Sequence, residues 1–152
     1  MARQPHNAMV LPFRRDSSGP SYLLLRRSDD GVWQGVSGGV EDGESIEEAA
    51  LRESQEELGL NGTPPLFRLS MVGGAPRSIF GGDAYWPAEL YIVQKHFFGA
   101  DLTDLLEEVV LSREHTELAW LSFDAAHDRL TYTDEKTALW ELDQRIARSD
   151  LF

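Results

Sequence analysis

The chain has 152 residues, of which 41% are hydrophobic, with no cysteine and a formal net charge of −12. This length supports a core of its own, so we expect a single domain over residues 1–152. The composition excludes disulfides and thiol chemistry, and the charge argues against nonspecific binding to DNA or RNA backbones. Residues 1–13 contain no long apolar run, so we expect no signal peptide, no membrane contact and a cytoplasmic location.

The N-terminal quarter of the chain predicts two strands and their connections. In chain order these are a strand over Asn7–Phe13, a turn over Arg14–Pro20, a central strand over Ser21–Arg27, a polar loop over Ser28–Gly35 and a short lead-in over Val36–Gly39. The second strand ends in two arginines, Arg26 and Arg27. Either of them could donate a bidentate hydrogen bond to a phosphate, and an ordinary solvent-exposed position is an equally weighted alternative.

The most informative stretch is Gly38–Leu60, with the sequence GGVEDGESIEEAALRESQEELGL. Ser45 and Glu48 have the spacing of a capping box, and Gly59 suits the left-handed position that ends a helix. We therefore expect a turn followed by one helix over Ile46–Leu58.

Three carboxylates lie on the same stripe of this helix, where its apolar face would be expected to continue. Glu53, Glu56 and Glu57 are neighbours at helical spacing, and each exposed like-charge pair is unfavourable by about 0.2–0.5 kcal/mol. A multivalent cation is the simplest remedy. Oxygen ligands favour Mg²⁺ or Mn²⁺ over zinc, for which the four histidines also lack a suitable spacing. A solvated acidic face is the alternative, and it is the commoner one for acidic helices in general.

The spacing of the whole stretch resembles the Nudix box of the Nudix hydrolase superfamily. Gly38, Glu44, the run Arg52-Glu53-Ser54-Gln55-Glu56-Glu57 and Gly59-Leu60 match that pattern everywhere except at Ser54, where an aliphatic residue is usual. The resemblance implies an α/β fold, an α/β/α sandwich with a central mixed sheet. It also implies a metal-dependent hydrolase that breaks a phosphoanhydride bond in a nucleoside diphosphate derivative.

The C-terminal part of the chain alternates strands with helices, which by itself indicates a mixed sheet between helices. We expect a turn over Asn61–Pro65, a strand over Leu66–Val72, a glycine-rich connection over Gly73–Gly82, a strand over Ala88–Phe98, a short helix or acidic loop over Asp101–Val110, a strand over Thr116–Ser122, a helical turn over Asp124–Arg129 and a helix from about Asp134 to Ala147. The glycine-rich connection is expected to be a mobile hairpin tip or a substrate loop.

The Nudix resemblance also assigns roles to individual residues. It assigns metal ligands to the Gly38 carbonyl, Glu53, Glu56, Glu57 and Glu114, and catalytic roles to Arg52, Glu53, Glu56 and Glu114. Glu114 is included among these residues because Glu114-His115, which precedes Trp120-Leu121, resembles the glutamate loop of many Nudix proteins. Glu117 is the second choice for that role, and a solvated loop acid is an equal alternative. Arg52 is expected to orient a catalytic glutamate, and its spacing from Glu56 suits that role. The box leaves open which carboxylate is the general base.

Substrate selection depends on residues outside the box. The segment Arg26–Gly38 resembles the dihydroneopterin triphosphate pyrophosphatase branch, which implies that Arg26 and Ser37 contact the substrate. Trp33 could stack on a base or pterin, as could Tyr85 and Trp86, although core packing is commoner for such aromatics. We therefore expect a small nucleotide or pterin triphosphate partner and a monomer or homodimer. Trp33-Gln34 also resembles RNA pyrophosphohydrolases and dinucleoside polyphosphate hydrolases, although the acidic charge disfavours RNA as a partner. A non-catalytic nucleotide-binding module is the alternative from another functional class.

Overall fold

The computed structural model describes residues 3–80 and 86–151. Within these residues a seven-stranded sheet is accompanied by three α-helices and two short 3₁₀ turns. The strands are β1 (Arg3–Asp16), β2 (Gly19–Arg27), β3 (Trp33–Gln34), β4 (Val36–Glu41), β5 (Leu66–Pro76), β6 (Ile92–Asp101) and β7 (His115–Leu121). The helices are α1 (Ile46–Leu58), α2 (Phe123–Arg129) and α3 (Thr133–Ala147), and the 3₁₀ turns cover Arg77–Phe80 and Leu106–Glu108.

The sheet is mixed, and its long central strand divides between two neighbours. β1 pairs in parallel with β6 along one edge, and β5 continues the sheet beyond β6. On the other edge of β1, residues 3–10 pair with β4, and residues 13–16 pair with β2. β2 in turn carries β3 and β7. On this edge the partner of β1 therefore changes from β4 to β2 between Val10 and Phe13. β4 and β2 separate there, next to the site described below.

Helices cover both faces of this sheet. Side chains alternate between faces along a strand, so Leu23 and Leu25 pack toward α1 while Tyr22 and Leu24 pack toward α2 and α3. The predicted α/β/α sandwich with a mixed sheet is thereby confirmed. Among the described residues, no helix is both long and apolar enough to span a membrane.

Helix α1 begins and ends at the residues predicted from its caps. The Ser45 hydroxyl accepts from the Glu48 amide, the Glu48 carboxylate accepts from the Ser45 amide, and Gly59 adopts a left-handed φ of 66°. Ser54, the one departure from the box pattern, is fully buried and donates to the Ala50 carbonyl at 2.8 Å. The hydroxyl is satisfied inside its own helix, so a serine is accommodated where an aliphatic residue is usual.

Several predicted boundaries were wrong. The turn over Arg14–Pro20 is only two residues long, because the β1–β2 hairpin continues to the Asp16–Gly19 pair. Gly73–Pro76 extend β5 where a connection was predicted, and residues 77–80 form a 3₁₀ turn. The strand predicted from Ala88 begins at Ile92. Residues 102–110 form a loop with one 3₁₀ turn, which agrees with the acidic loop offered as an alternative for Asp101–Val110. Residues 81 and 82 of the glycine-rich stretch lie outside the described residues.

Candidate active site

Glycine at the start of the box lets α1 approach β4 closely. A Cβ on Gly38 would clash with the carboxyl group of Glu53, so only glycine admits the helix side chain at this distance. One position earlier, the Ser37 amide donates to Oε2 of Glu57 at 3.2 Å. The backbone of β4 therefore meets two of the box carboxylates.

Arg52 ties the acidic turn before the helix to the helix itself. Its guanidinium donates two hydrogen bonds to Glu44, at 2.8 and 3.0 Å, and a third at 2.6 Å to Oε1 of Glu53. It also donates to the Gly39 carbonyl at 3.0 Å, and its Nη1 lies 3.5 Å from Glu56. The hydrogen bond from Arg52 lowers the pKa of Glu44. Arg52 thus orients Glu53 firmly and meets Glu56 only at the edge of ion-pair distance.

Glu57 is the most buried acid of the box, with 3% of its side chain exposed. Its Oε1 makes no hydrogen bond to any described residue and lies 3.5 Å from Nε2 of His115. Burial, followed by the charge of the adjacent Glu53, raises the pKa of Glu57. Burial also lowers the pKa of His115, which favours the neutral ring. The site therefore contains a buried acceptor that lacks a compensating charge.

The other two predicted acidic ligands are less closely gathered. Glu56 points outward with 62% of its side chain exposed. Glu114 is exposed at the rim of the cleft, and its charge raises the pKa of Glu57. Over residues 3–80 and 86–151, no three His, Cys, Asp or Glu side chains converge closely enough to hold a metal ion on their own. The structure brings Glu53 and Glu57 together and leaves Glu56 and Glu114 at the margin.

A cleft with two connected chambers lies beside these residues. The first, which we name the polar chamber, has a volume of about 340 Å³ and is lined by Arg27, Ser28, Asp29, Gln34, Ser37, Glu114 and His115. The second, the apolar chamber, has a volume of about 430 Å³ and is lined mainly by Met9, Pro76, Ile79, Phe80 and Tyr132, with polar groups that include Lys95 and Glu135. Arg27, Gln34 and Ser37 line both chambers, so the two chambers adjoin at these residues.

Comparison with known proteins shows the family of this chain. The model of the NUDIX domain family matches residues 4–140. The chain belongs to the Nudix family. It is 32% identical to the bis(5'-nucleosyl)-tetraphosphatase [asymmetrical] of Sus scrofa, over 83% of this chain and 80% of that protein. A crystal structure from Listeria monocytogenes, assigned to the NUDIX hydrolases, superposes with a TM-score of 0.85 at 36% identity, over 97% of this chain and 98% of that one. The Escherichia coli dihydroneopterin triphosphate pyrophosphohydrolase shares the fold, with a TM-score of 0.73 at 22% identity over 97% and 99% of the two chains.

Of the two arginines that end β2, the one on the cleft of this Nudix hydrolase is Arg27. Arg26 points away and forms an exposed ion pair with Glu117 at 3.0 Å, which also takes Glu117 away from the chambers. Arg27 lines both chambers and is held by Asp29 through hydrogen bonds of 2.9 and 2.6 Å. Successive side chains of a strand point to opposite sides, which separates the two arginines, and the pairing of β2 with β7 shifts register between them.

Of the predicted substrate contacts, Ser37 lies on the cleft and the tryptophans do not. Ser37 lines both chambers. Trp33 packs into the core under α2, with the Arg129 guanidinium 4.8 Å from its ring centroid. Trp86 is buried and donates its indole N–H to the Arg3 carbonyl at 2.9 Å. Neither tryptophan is among the chamber-lining residues, and Tyr85 lies outside the described residues.

Several chamber residues escaped the sequence analysis. Asn7 and Lys95 are polar residues inside predicted strands, which is the available sequence signal, and the structure buries both. Asn7 donates to the Ser37 hydroxyl at 2.9 Å and so fixes its position. Gln34 lines both chambers, whereas the sequence indicates it only as part of the Trp33-Gln34 motif. Tyr132 and Glu135 reach the apolar chamber from the start of α3, a contact that only the tertiary fold creates.

Proposed function

We propose that this Nudix hydrolase uses a divalent cation to cleave a phosphoanhydride bond in a nucleoside di- or triphosphate derivative, with dihydroneopterin triphosphate or another nucleoside triphosphate favoured. One observation carries the proposal. The half-buried carboxylate of Glu53 and the buried carboxylate of Glu57 are gathered against β4, next to a cleft that contains Arg27, and Oε1 of Glu57 has no hydrogen-bond partner among the described residues. A cation and an anionic substrate together would satisfy all these groups.

The residues present fit a hard divalent cation, either Mg²⁺ or Mn²⁺. The candidate donors are all oxygens, namely the Gly38 carbonyl and the carboxylates of Glu53, Glu56, Glu57 and Glu114. Gly38 allows the close approach, and Oε1 of Glu57 is a buried acceptor that no described residue uses. When bound, such a cation neutralises phosphate charge and makes a nearby water more acidic.

The other roles belong to the protein alone. Arg52 positions Glu53 through its 2.6 Å hydrogen bond while Glu44 holds the other side of the guanidinium. Glu114, exposed at the polar chamber, is the candidate general base for the attacking water. Arg27 is the candidate donor to a substrate phosphate, since its guanidinium can leave Asp29 for a second anion. Ser37 is placed to contact the substrate between the chambers.

Hydrolysis of dinucleoside polyphosphates is a second candidate. The pig tetraphosphatase is similar over most of both chains, which supports this substrate class. The carboxylates retained at Glu53, Glu56 and Glu57 argue against a non-catalytic module. RNA ends remain disfavoured by the charge of −12.

A substrate panel tests this function. Purified protein with Mg²⁺ is given nucleoside triphosphates, dihydroneopterin triphosphate, dinucleoside polyphosphates, ADP-ribose and triphosphorylated RNA, and the products are identified by mass. We expect release of pyrophosphate or phosphate from at least one small nucleotide, and loss of this activity in Glu57→Gln and in excess EDTA. Undiminished turnover by folded Glu57→Gln would contradict the proposal.

A further inference from the structure

Three charged side chains of the apolar chamber have no part in the chemistry proposed above. Lys95 lies on β6, and Asp134 and Glu135 lie in the first turn of α3. Nζ of Lys95 is 3.0 Å from Oδ2 of Asp134 and 3.4 Å from Oε2 of Glu135, and all three residues line the chamber. One ammonium group faces two carboxylates, so Lys95 alone cannot neutralise both acids.

Among the described residues, Glu135 is the acid of this cluster that lacks a hydrogen-bond donor at one carboxylate oxygen. The Asp134 carboxylate accepts from Lys95 and also from the Glu135 amide at 2.8 Å, and Gly73 leaves room for it because a Cβ there would clash with Asp134. Glu135 is 2% exposed, and its Oε1 makes no hydrogen bond within the described part of the chain. Burial raises the pKa of Glu135. A buried carboxylate oxygen without a partner is destabilising until a donor reaches it.

The chamber around Glu135 suits a flat ring. Tyr132, Ile79 and Phe80 supply apolar surface, and the chamber continues through Ser37 and Arg27 into the polar chamber. A heterocycle held here can carry its phosphates toward the box carboxylates. An apolar pocket with a few convergent polar groups is the usual form of a small-ligand site, in which the polar groups set specificity.

We infer that Glu135 is a specificity-determining residue that accepts the two adjacent N–H groups of a 2-amino-4-oxopyrimidine ring, the pattern shared by guanine and pterin. A carboxylate can accept two parallel N–H bonds, as it does from arginine. Adenine places a ring-nitrogen acceptor beside its amine, which sets one lone pair against the carboxylate. The inference rests on the proposed function, since it takes the ring to be part of a phosphoanhydride substrate.

The test compares kcat/KM for GTP, dihydroneopterin triphosphate and ATP, with Mg²⁺, in three forms of the full chain. Wild type is expected to prefer GTP or dihydroneopterin triphosphate over ATP by about tenfold or more. Glu135→Gln offers one acceptor and one donor, which complements adenine, so this ratio should fall by about tenfold or more. Glu141→Gln is the matched control on α3, since Glu141 pairs with Arg145 outside the chambers, and it should keep the wild-type ratio. Comparing kcat/KM for GTP with that for dihydroneopterin triphosphate shows whether the site prefers guanine or pterin.

Equal or greater use of ATP by wild type would overturn the inference, as would an unchanged ratio in active Glu135→Gln. If that variant does not fold, the wild-type ratio decides. If no substrate is hydrolysed, the proposed function fails separately, and calorimetric binding of guanosine and adenosine tests Glu135 alone. Tighter binding of guanosine then supports the inference, and equal or absent binding overturns it.

Discussion

The Gly38 backbone lies so close to the Glu53 carboxyl group that a methyl group on Gly38 would displace the acid. Arg52 holds that carboxylate from its other side, so Glu53 cannot simply turn away. The first glycine of the box is therefore a spacer that lets a helix carboxylate and a strand backbone share one small volume.

Gly38→Ala is expected to lower kcat by about a hundredfold, because a shift of about 1 Å in a positioned group can cost that much. Gly39→Ala is the matched control. A Cβ there would meet the end of the Arg3 side chain. The hydrogen bonds from Arg3 to Phe80 and Asn7 are 3.4 Å long, so they hold Arg3 less tightly than the 2.6 Å bond from Arg52 holds Glu53. Steady-state kinetics of both variants, with circular dichroism to check folding, measure the difference. Equal losses in the two variants would refute the spacer role.

Arg52→Lys should reduce kcat by about tenfold or more while leaving the protein folded. Lysine cannot donate to Glu44 and Glu53 in the same fork, so Glu53 loses its fixed orientation. Arg145→Lys is the control, because Arg145 has similar exposure and pairs with Glu141 at 2.8 Å on α3. That variant should keep kcat. A matching loss in both would mean that general stability, and not orientation of Glu53, limits the reaction.

Arg27→Ala is expected to raise KM for a nucleoside triphosphate by about tenfold, and Arg26→Ala to change it little. Arg27 lines both chambers, whereas Arg26 pairs with exposed Glu117, an interaction that is worth less than about 1 kcal/mol. Initial rates over a range of substrate concentrations measure KM for each variant. A larger effect from Arg26→Ala would favour the original assignment from sequence.

Glu57 sets an expected pH dependence of stability. Burial and the neighbouring Glu53 raise its pKa from 4.5 to about 9, so the folded protein retains a proton that the unfolded chain releases above its own pKa. The free energy of unfolding should therefore fall as pH rises from about 4.5 to about 9, by at most about 1.4 kcal/mol per pH unit from this group. A bound cation offsets that loss. Thermal melts should show a larger rise in Tm with MgCl₂ near pH 8.5 than near pH 6.

Glu57→Gln should remove this pH-dependent part of the Mg²⁺ effect, because glutamine does not titrate. Melts of the variant at the same two pH values provide the control. The same increase in Tm at both pH values in wild type would contradict the assignment of the titration to Glu57.

The local parts of this site could be predicted from the sequence. Capping residues determine where α1 begins and ends, and the spacing of Glu53 and Glu57 places both on one helix face. The Nudix box spacing likewise predicted the family and the sandwich. Each of these depends on neighbours within one helix or one turn, which a sequence displays directly.

The remaining parts depend on contacts between distant segments. Arg27 lines the polar chamber together with Glu114 and His115, which are far from it in the sequence, so its role depends on how β2 and β7 come together. β5 continues through Gly73 because this residue pairs with Lys95 on β6, and the glycine leaves room for Asp134 at the start of α3. Glu56 shares the helix stripe with Glu53, yet the Glu56 side chain is largely exposed to solvent while that of Glu53 is mostly covered.

The central claim is that Glu57, with Glu53, holds a divalent cation. Titration of Mn²⁺ followed by electron paramagnetic resonance measures this directly in wild type, Glu57→Gln and the control Glu141→Gln. We predict that wild type and Glu141→Gln bind alike and that folded Glu57→Gln binds at least about tenfold more weakly. Equal Mn²⁺ affinity in all three proteins would contradict the claim.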